Sequence, residues 1–138
     1  MAKDDISLND WKTQKMVTNR IKLLADIIVL NSSHPVRRKA IYDLGKIKDN
    51  RTIPVLLKAY WEVNKKYHLI NGYPHDERYE IVKALRKLNN INLLPKFEKM
   101  LEIEQGYTTW EDCNCGHWTK IELMGAIDDL KNKNTKNG

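Results

Sequence analysis

Phenylalanine occurs once and cysteine twice in the 138 residues. The two cysteines, Cys113 and Cys115, stand one residue apart, so a disulfide framework is not expected. Long apolar runs are also missing. The longest, Leu23 to Leu30, covers eight residues and is interrupted by Asp26, which is too short to span a bilayer. The opening MAKDDISLND carries acids and no apolar stretch, so it does not read as a secretory signal. A reducing cytoplasm is the expected setting. Proline and glycine are sparse, at four and six, and no segment alternates with period two for long enough to make a strand. There is no glycine-rich phosphate loop and no Ser/His/Asp arrangement that spacing would single out. No catalytic residue or cofactor is expected, and whether the protein is an enzyme stays uncertain, with the balance against it.

Lysine and helical spacing fill the chain instead. There are 24 basic residues against 18 acidic ones, a net charge of +6. That balance tolerates an anionic partner. The end of the chain, KNKNTKNG, supplies three of the lysines and reads as a disordered basic tail over residues 131–138, which leaves a mildly basic folded body over 1–130.

One ladder of residues occurs three times. His34, Arg37, Ala40, Ile41, Leu44 and Ile47 are matched by His75, Arg78, Ile81, Val82, Leu85 and Leu88, 41 residues on. His117, Lys120, Leu123, Met124, Ile127 and Leu130 follow after a further 42. Each ladder has the three-and-four spacing of a helix with one apolar face. After the first, Lys48-Asp49-Asn50 makes a turn, and a second helix carries Ile53, Leu56, Leu57, Tyr60 and Val63. After the second, Asn89-Asn90 makes the turn, and Leu94, Phe97 and Leu101 recur. Pro54 and Pro95, again 41 apart, sit where a helix start tolerates proline. A leading helix over about 8–30, with Ser7 as its N-cap, precedes them. The expected architecture is a leading helix, two helix pairs and a last single helix. Such pairs bury their apolar faces only by stacking, so Ala40, Ile41, Leu44, Ile47, Ile53, Leu56, Leu57, Ile81, Val82, Leu85, Leu88, Leu94 and Phe97 are expected to form one continuous core.

The words VRRKAIYDLGKIKDNRTIPVLLKAY (Val36 to Tyr60) and RYEIVKALRKLNNINLLPKFEKML (Arg78 to Leu101) resemble the HEAT-repeat family, in the short HEAT-like form also found in phycobilin lyases. The resemblance implies an all-α fold, a short right-handed α-solenoid of stacked antiparallel helix pairs. It also implies that the second helices line the concave side. It implies no activity, because no catalytic residue of the lyases can be matched. The paired His-Glu dipeptides of the iron-dependent hydroxylase branch are missing too.

Candidate binding residues come from two places. With Ile53, Leu56, Leu57 and Tyr60 facing inward, steps of 100° put Arg51, Lys58, Trp61 and Lys65 on the outward face. A tryptophan flanked by cations suits an acidic peptide or a nucleic-acid backbone. In the next repeat Lys99 replaces Lys58, but Glu102 replaces Trp61, so the basic character weakens. The inter-repeat loops YHLINGYP and QGYTTWEDCNCG hold Tyr73 and Trp110 among other aromatics, which suits a recognition surface or a cover over the core ends. Cys113, Cys115 and His117 are ligand types that zinc and copper accept, yet the spacing is Cys-x-Cys and a fourth donor would have to be Asp112, His75 or water, so an ordinary turn is the simpler reading. The histidines opening each ladder, with Asp76 and Glu77 after the second, read as helix-start signals. The function expected is a non-catalytic module or adaptor binding a protein partner through the groove and aromatic loops. The alternative is a nucleic-acid-binding repeat protein with a basic groove.

Overall fold

The structure, a computed structural model, describes residues 11–30, 33–67, 74–106 and 117–137, the side chains at 63–67, 74–76, 106, 117 and 134–137 excepted. Six α-helices follow one another: α1 (Trp11–Leu30), α2 (His34–Ile47), α3 (Ile53–Tyr67), α4 (Pro74–Lys87), α5 (Leu94–Gly106) and α6 (His117–Asn137). No strand occurs among the described residues. The expected N-cap at Ser7 lies outside them.

The helix boundaries follow local chemistry. Pro35 sits in the first turn of α2, where its missing N–H costs nothing. That helix ends on Lys48 with φ 52°, in the left-handed region, and α4 is followed by Asn89 at φ 51°. Each reversal leads into a short 3₁₀ turn, Asn50–Thr52 or Ile91–Leu93. Asp49 Oδ1 accepts the Arg51 N–H at 2.8 Å, and Asn90 Oδ1 accepts the Asn92 N–H at 2.9 Å. The two turns are the same device, 41 residues apart.

The ladder helices α2, α4 and α6 pack in a row, and α1, α3 and α5 pack against them. Within the row, α2 and α4 make the most extensive contact; between the layers, α1 pairs with α2, α3 with α4, and α5 with α6. The expected grouping of α2 with α3 and α4 with α5 is thereby shifted by one helix. The leading and last helices are members of pairs, not additions to them.

The core runs through the row. Ile41, Leu44, Leu56, Ile81, Val82 and Leu85 have no exposed surface, and Ala40 and Phe97 have almost none. Ile47, Ile53, Leu57, Leu88 and Leu94 are only partly buried against this cluster, since they stand toward helix ends or its edge. Ile21, Leu24 and Ile28 extend it into α1, and Leu123, Ala126, Ile127 and Leu130 into α6. The last helix does not end at the expected boundary at residue 130 but continues to Asn137. Over that stretch Lys133 Nζ donates to the Asn89 carbonyl at 3.0 Å and Lys131 lies 3.9 Å from Glu98.

Candidate recognition surface and a buried charged joint

The outward stripe on α3 is smaller than helical arithmetic suggests. Arg51 stands before α3, in the 3₁₀ turn, so the 100° steps of that helix do not apply to it. Its guanidinium takes both Asp49 oxygens, Nε to Oδ1 at 3.0 Å and Nη2 to Oδ2 at 2.8 Å. It also donates through Nη1 to Thr18 Oγ1 at 3.0 Å, tying the turn to α1. The side-chain hydrogen bond from Arg51, then the bond from its backbone N–H, holds the Asp49 carboxyl below its usual value. Arg51 is exposed, and its charge is paired at the surface with Asp49.

Lys58 is exposed on α3. Trp61, three residues on, is half-buried and packs on the core with its ring edge-on to Tyr60, centroids 5.2 Å apart. One face of the indole serves packing and the remainder meets solvent. On α5, Lys99 is exposed and stands 3.9 Å from Glu102. The side chain of Lys65, the residues Tyr73, Trp110, Cys113 and Cys115, and the side chain of His117 lie outside the described residues. Among the described residues no cluster of metal-ligating side chains occurs.

Two buried ion pairs were not expected from the ladder. Arg37 donates to Glu77 through Nε at 2.9 Å and Nη2 at 2.8 Å, and His34 Nδ1 lies 2.8 Å from the same carboxylate. Glu77 is 1% exposed, so it is not the solvated first-turn acid that its position suggests. Arg78, one repeat after Arg37, donates instead to Glu104 on α5, through Nε at 2.7 Å and Nη2 at 3.3 Å. Tyr60 on α3 completes this second cluster, its hydroxyl donating to Glu104 at 2.6 Å. Burying such charges costs several kcal/mol per ion, about repaid only where geometry and hydrogen bonding are as complete as here.

A signal for both was present. Arg37 and Arg78 stand three residues before apolar core positions, and Glu104 continues the Phe97–Met100 spacing, so each charge falls on an inward face. A charge on an inward face asks for an opposite charge opposite it.

A row of ladder helices, each backed by a neighbour and joined by left-handed turns at one period, defines a short α-solenoid repeat protein. Residues 36–60, covering most of α2, the 3₁₀ turn and the first half of α3, match the family PBS lyase HEAT-like repeat. Over that one helix–turn–helix unit the chain is similar to the HEAT-like repeat family. No curated protein and no solved structure matches the chain.

Proposed function

We propose that the protein is a non-catalytic HEAT-like adaptor of the cytoplasm, binding a protein partner across α3 and α5 and through the aromatic inter-repeat loops. The observation that carries this reading is the pairing of exposed Lys58 with half-buried Trp61 on one face of α3, backed by the rigid core. An anchored indole with a cation one turn away is a preorganised contact, because packing has already fixed the ring. Lys65 on the same helix, Lys99 on α5, and Tyr73 and Trp110 in the loops extend the surface. Arg51 contributes through the turn it braces and not as a free cation.

The test is a pull-down from the native host, with and without nuclease, using wild type, Trp61→Ala and Lys58→Glu/Lys65→Glu. A protein partner that survives nuclease and is lost with either variant supports the adaptor. Partners that vanish with nuclease, and binding that falls steeply with salt, would favour a nucleic-acid groove.

A further inference from the structure

A second surface lies on the ladder row itself, away from the α3 face, and centres on Tyr42. Three lysines converge on that one ring: Lys46 at 4.7 Å, Lys87 at 5.6 Å and Lys39 at 5.9 Å from its centroid. Energetically significant cation–π contacts occur roughly once per 70–80 residues, so three on one ring is a concentration of charge. The fold brings it about. Gly45 lets α2 approach α4 so closely that a Cβ there would lie 3.0 Å from Ala84 Cβ and 4.0 Å from Lys87 Nζ. Lys39 is balanced by Asp43 at 2.8 Å. Lys46 and Lys87 pair with no carboxylate among the described residues, and both are exposed. A last-turn lysine complements its own helix end, but Lys87 reaches across to the ring of the neighbouring helix.

The track continues on α4. Tyr79, Lys83 and Lys87 fall on one face at steps of four, with Lys83 Nζ 5.1 Å from the Tyr79 centroid. The result is a strip of two tyrosines, four lysines and Arg38 against two acids, Asp43 beside Lys39 and Glu80, which lies 3.6 Å from Arg38. Clustered ammonium groups repel one another, and a ring quadrupole offsets only part of that. A multiply charged anion would relieve it. Phosphodiesters would meet the lysines, and bases would find the tyrosine rings, which an acidic peptide would leave unused.

We infer that Tyr42, Lys46 and Lys87, extended by Tyr79 and Lys83, form a binding site for single-stranded nucleic acid on the outer side of the ladder helices. The site is separate from the α3 surface, so it stands or falls independently of the adaptor reading.

The experiment is fluorescence anisotropy of a labelled, mixed-sequence single-stranded RNA with the full chain, read across a salt series. Each phosphate contact to a single strand contributes a slope of about 0.7 in log K against log salt, so about fivefold at 0.1 M. Lys46→Gln/Lys87→Gln should therefore bind about 25-fold more weakly at 0.1 M salt, with a slope shallower by about 1.4. Tyr42→Leu should lose at least about fivefold through stacking. Lys22→Gln/Lys96→Gln, which removes two exposed lysines elsewhere, should stay within about twofold if only local contacts count. Circular dichroism checks that each variant is folded. No binding by wild type, equal losses in the two double variants, or tighter binding of poly-glutamate than of RNA would each overturn the assignment. The last result would transfer the site to an acidic protein.

Discussion

The joint between α2 and α4 and the joint between α4 and α6 occupy equivalent places in the repeat, yet they are built from different groups. In the first, Gly45 meets Ala84 and Arg37 is locked onto Glu77. One repeat on, the places of Gly45 and Ala84 are taken by Arg86 and Ala126, with Gly125 beside the latter. Arg86 lies across Gly125 and is held by Asp129 at 2.8 Å and Glu122 at 3.0 Å. Those bonds, that to Asp129 foremost, raise the Arg86 pKa above its ordinary value. Arg78 is held by Glu104 of α5, and the residue of α6 that corresponds to Glu77 is Thr119, which offers no carboxylate. Glu104 takes its place, where the first repeat has Val63. The repeat keeps backbone geometry and finds its polar partners locally.

The largest expected effects test whether both buried carboxylates matter equally. Glu77→Ala removes the carboxylate that Arg37 and His34 share, and Glu104→Ala the one that Arg78 and the Tyr60 hydroxyl share. Each should cost about 3–5 kcal/mol in urea denaturation, because in each case an arginine and one further group lose a buried carboxylate. Losses below about 1 kcal/mol at both sites would show that neither pair braces the stack.

A smaller contrast separates the glycines. Alanine at position 45 meets a neighbouring Cβ at 3.0 Å with backbone at 3.4 Å behind it. Overpacking of about 1–3 kcal/mol should outweigh the roughly 1 kcal/mol of helix propensity gained. Gly45→Ala should thus lower the melting temperature. At 125 the obstacle is a guanidinium end at 2.6 Å, which can swing aside into solvent. Gly125→Ala should be about neutral. A larger loss at 125 than at 45 would reverse this account of the two joints.

The left-handed residues should respond in the opposite sense. Lys48→Gly removes a Cβ clash and should stabilise by about 1 kcal/mol, whereas Asn89→Gly should add only a few tenths, since asparagine tolerates that conformation. Matching gains in thermal denaturation would count against this difference between the turns.

The weakest effect concerns pH. Asp49 has its pKa lowered by the Arg51 hydrogen bonds, while Asn90 at the equivalent cap does not titrate. A depressed carboxylate contributes stability that is complete above its unfolded value of about 3.9 and is lost as pH falls through the lower folded value. In an NMR-monitored acid titration below about pH 4, amides around 49–52 should therefore shift before those around 90–93. Simultaneous change in both turns would remove the role given to Asp49.

Much of the fold was legible because the 41-residue period fixes which face of each ladder helix is apolar. The turns were legible too, at Lys48-Asp49-Asn50 and Asn89-Asn90. The phase of the pairs was not. Nearness in sequence groups α2 with α3, but burial is best served by α3 lying on α4, and spacing along one helix says nothing about its neighbour. The same limit hid the partners of Arg37 and Arg78. Arg51 of the α3 stripe is exposed but stands in the turn ahead of the helix, a place that a helical wheel carried back past the helix start does not describe. A polar composition suggested a tail from residue 131, where α6 in fact continues, with lysine groups reaching Glu98 and the Asn89 carbonyl. The Tyr42 cluster needed the α2–α4 crossing to appear, because Lys87 stands 45 residues from the ring it approaches.

Glu77 and Arg78 are consecutive residues of α4, and they engage opposite sides of the stack: Glu77 holds α2, and Arg78 holds Glu104 of α5 beneath Tyr60 of α3. Fraying α4 by one turn at its start would take the carboxylate from Arg37 and the guanidinium from Glu104 at once. Repeat arrays often come apart stepwise from their ends, one unit after another. Here partial opening around α4 is penalised on both flanks, so amides in α2, α3 and α5 should exchange with deuterium through a common opening event and carry nearly the same protection. Common protection across those helices would mark α4 as a cooperativity clamp through which separate repeats melt as one.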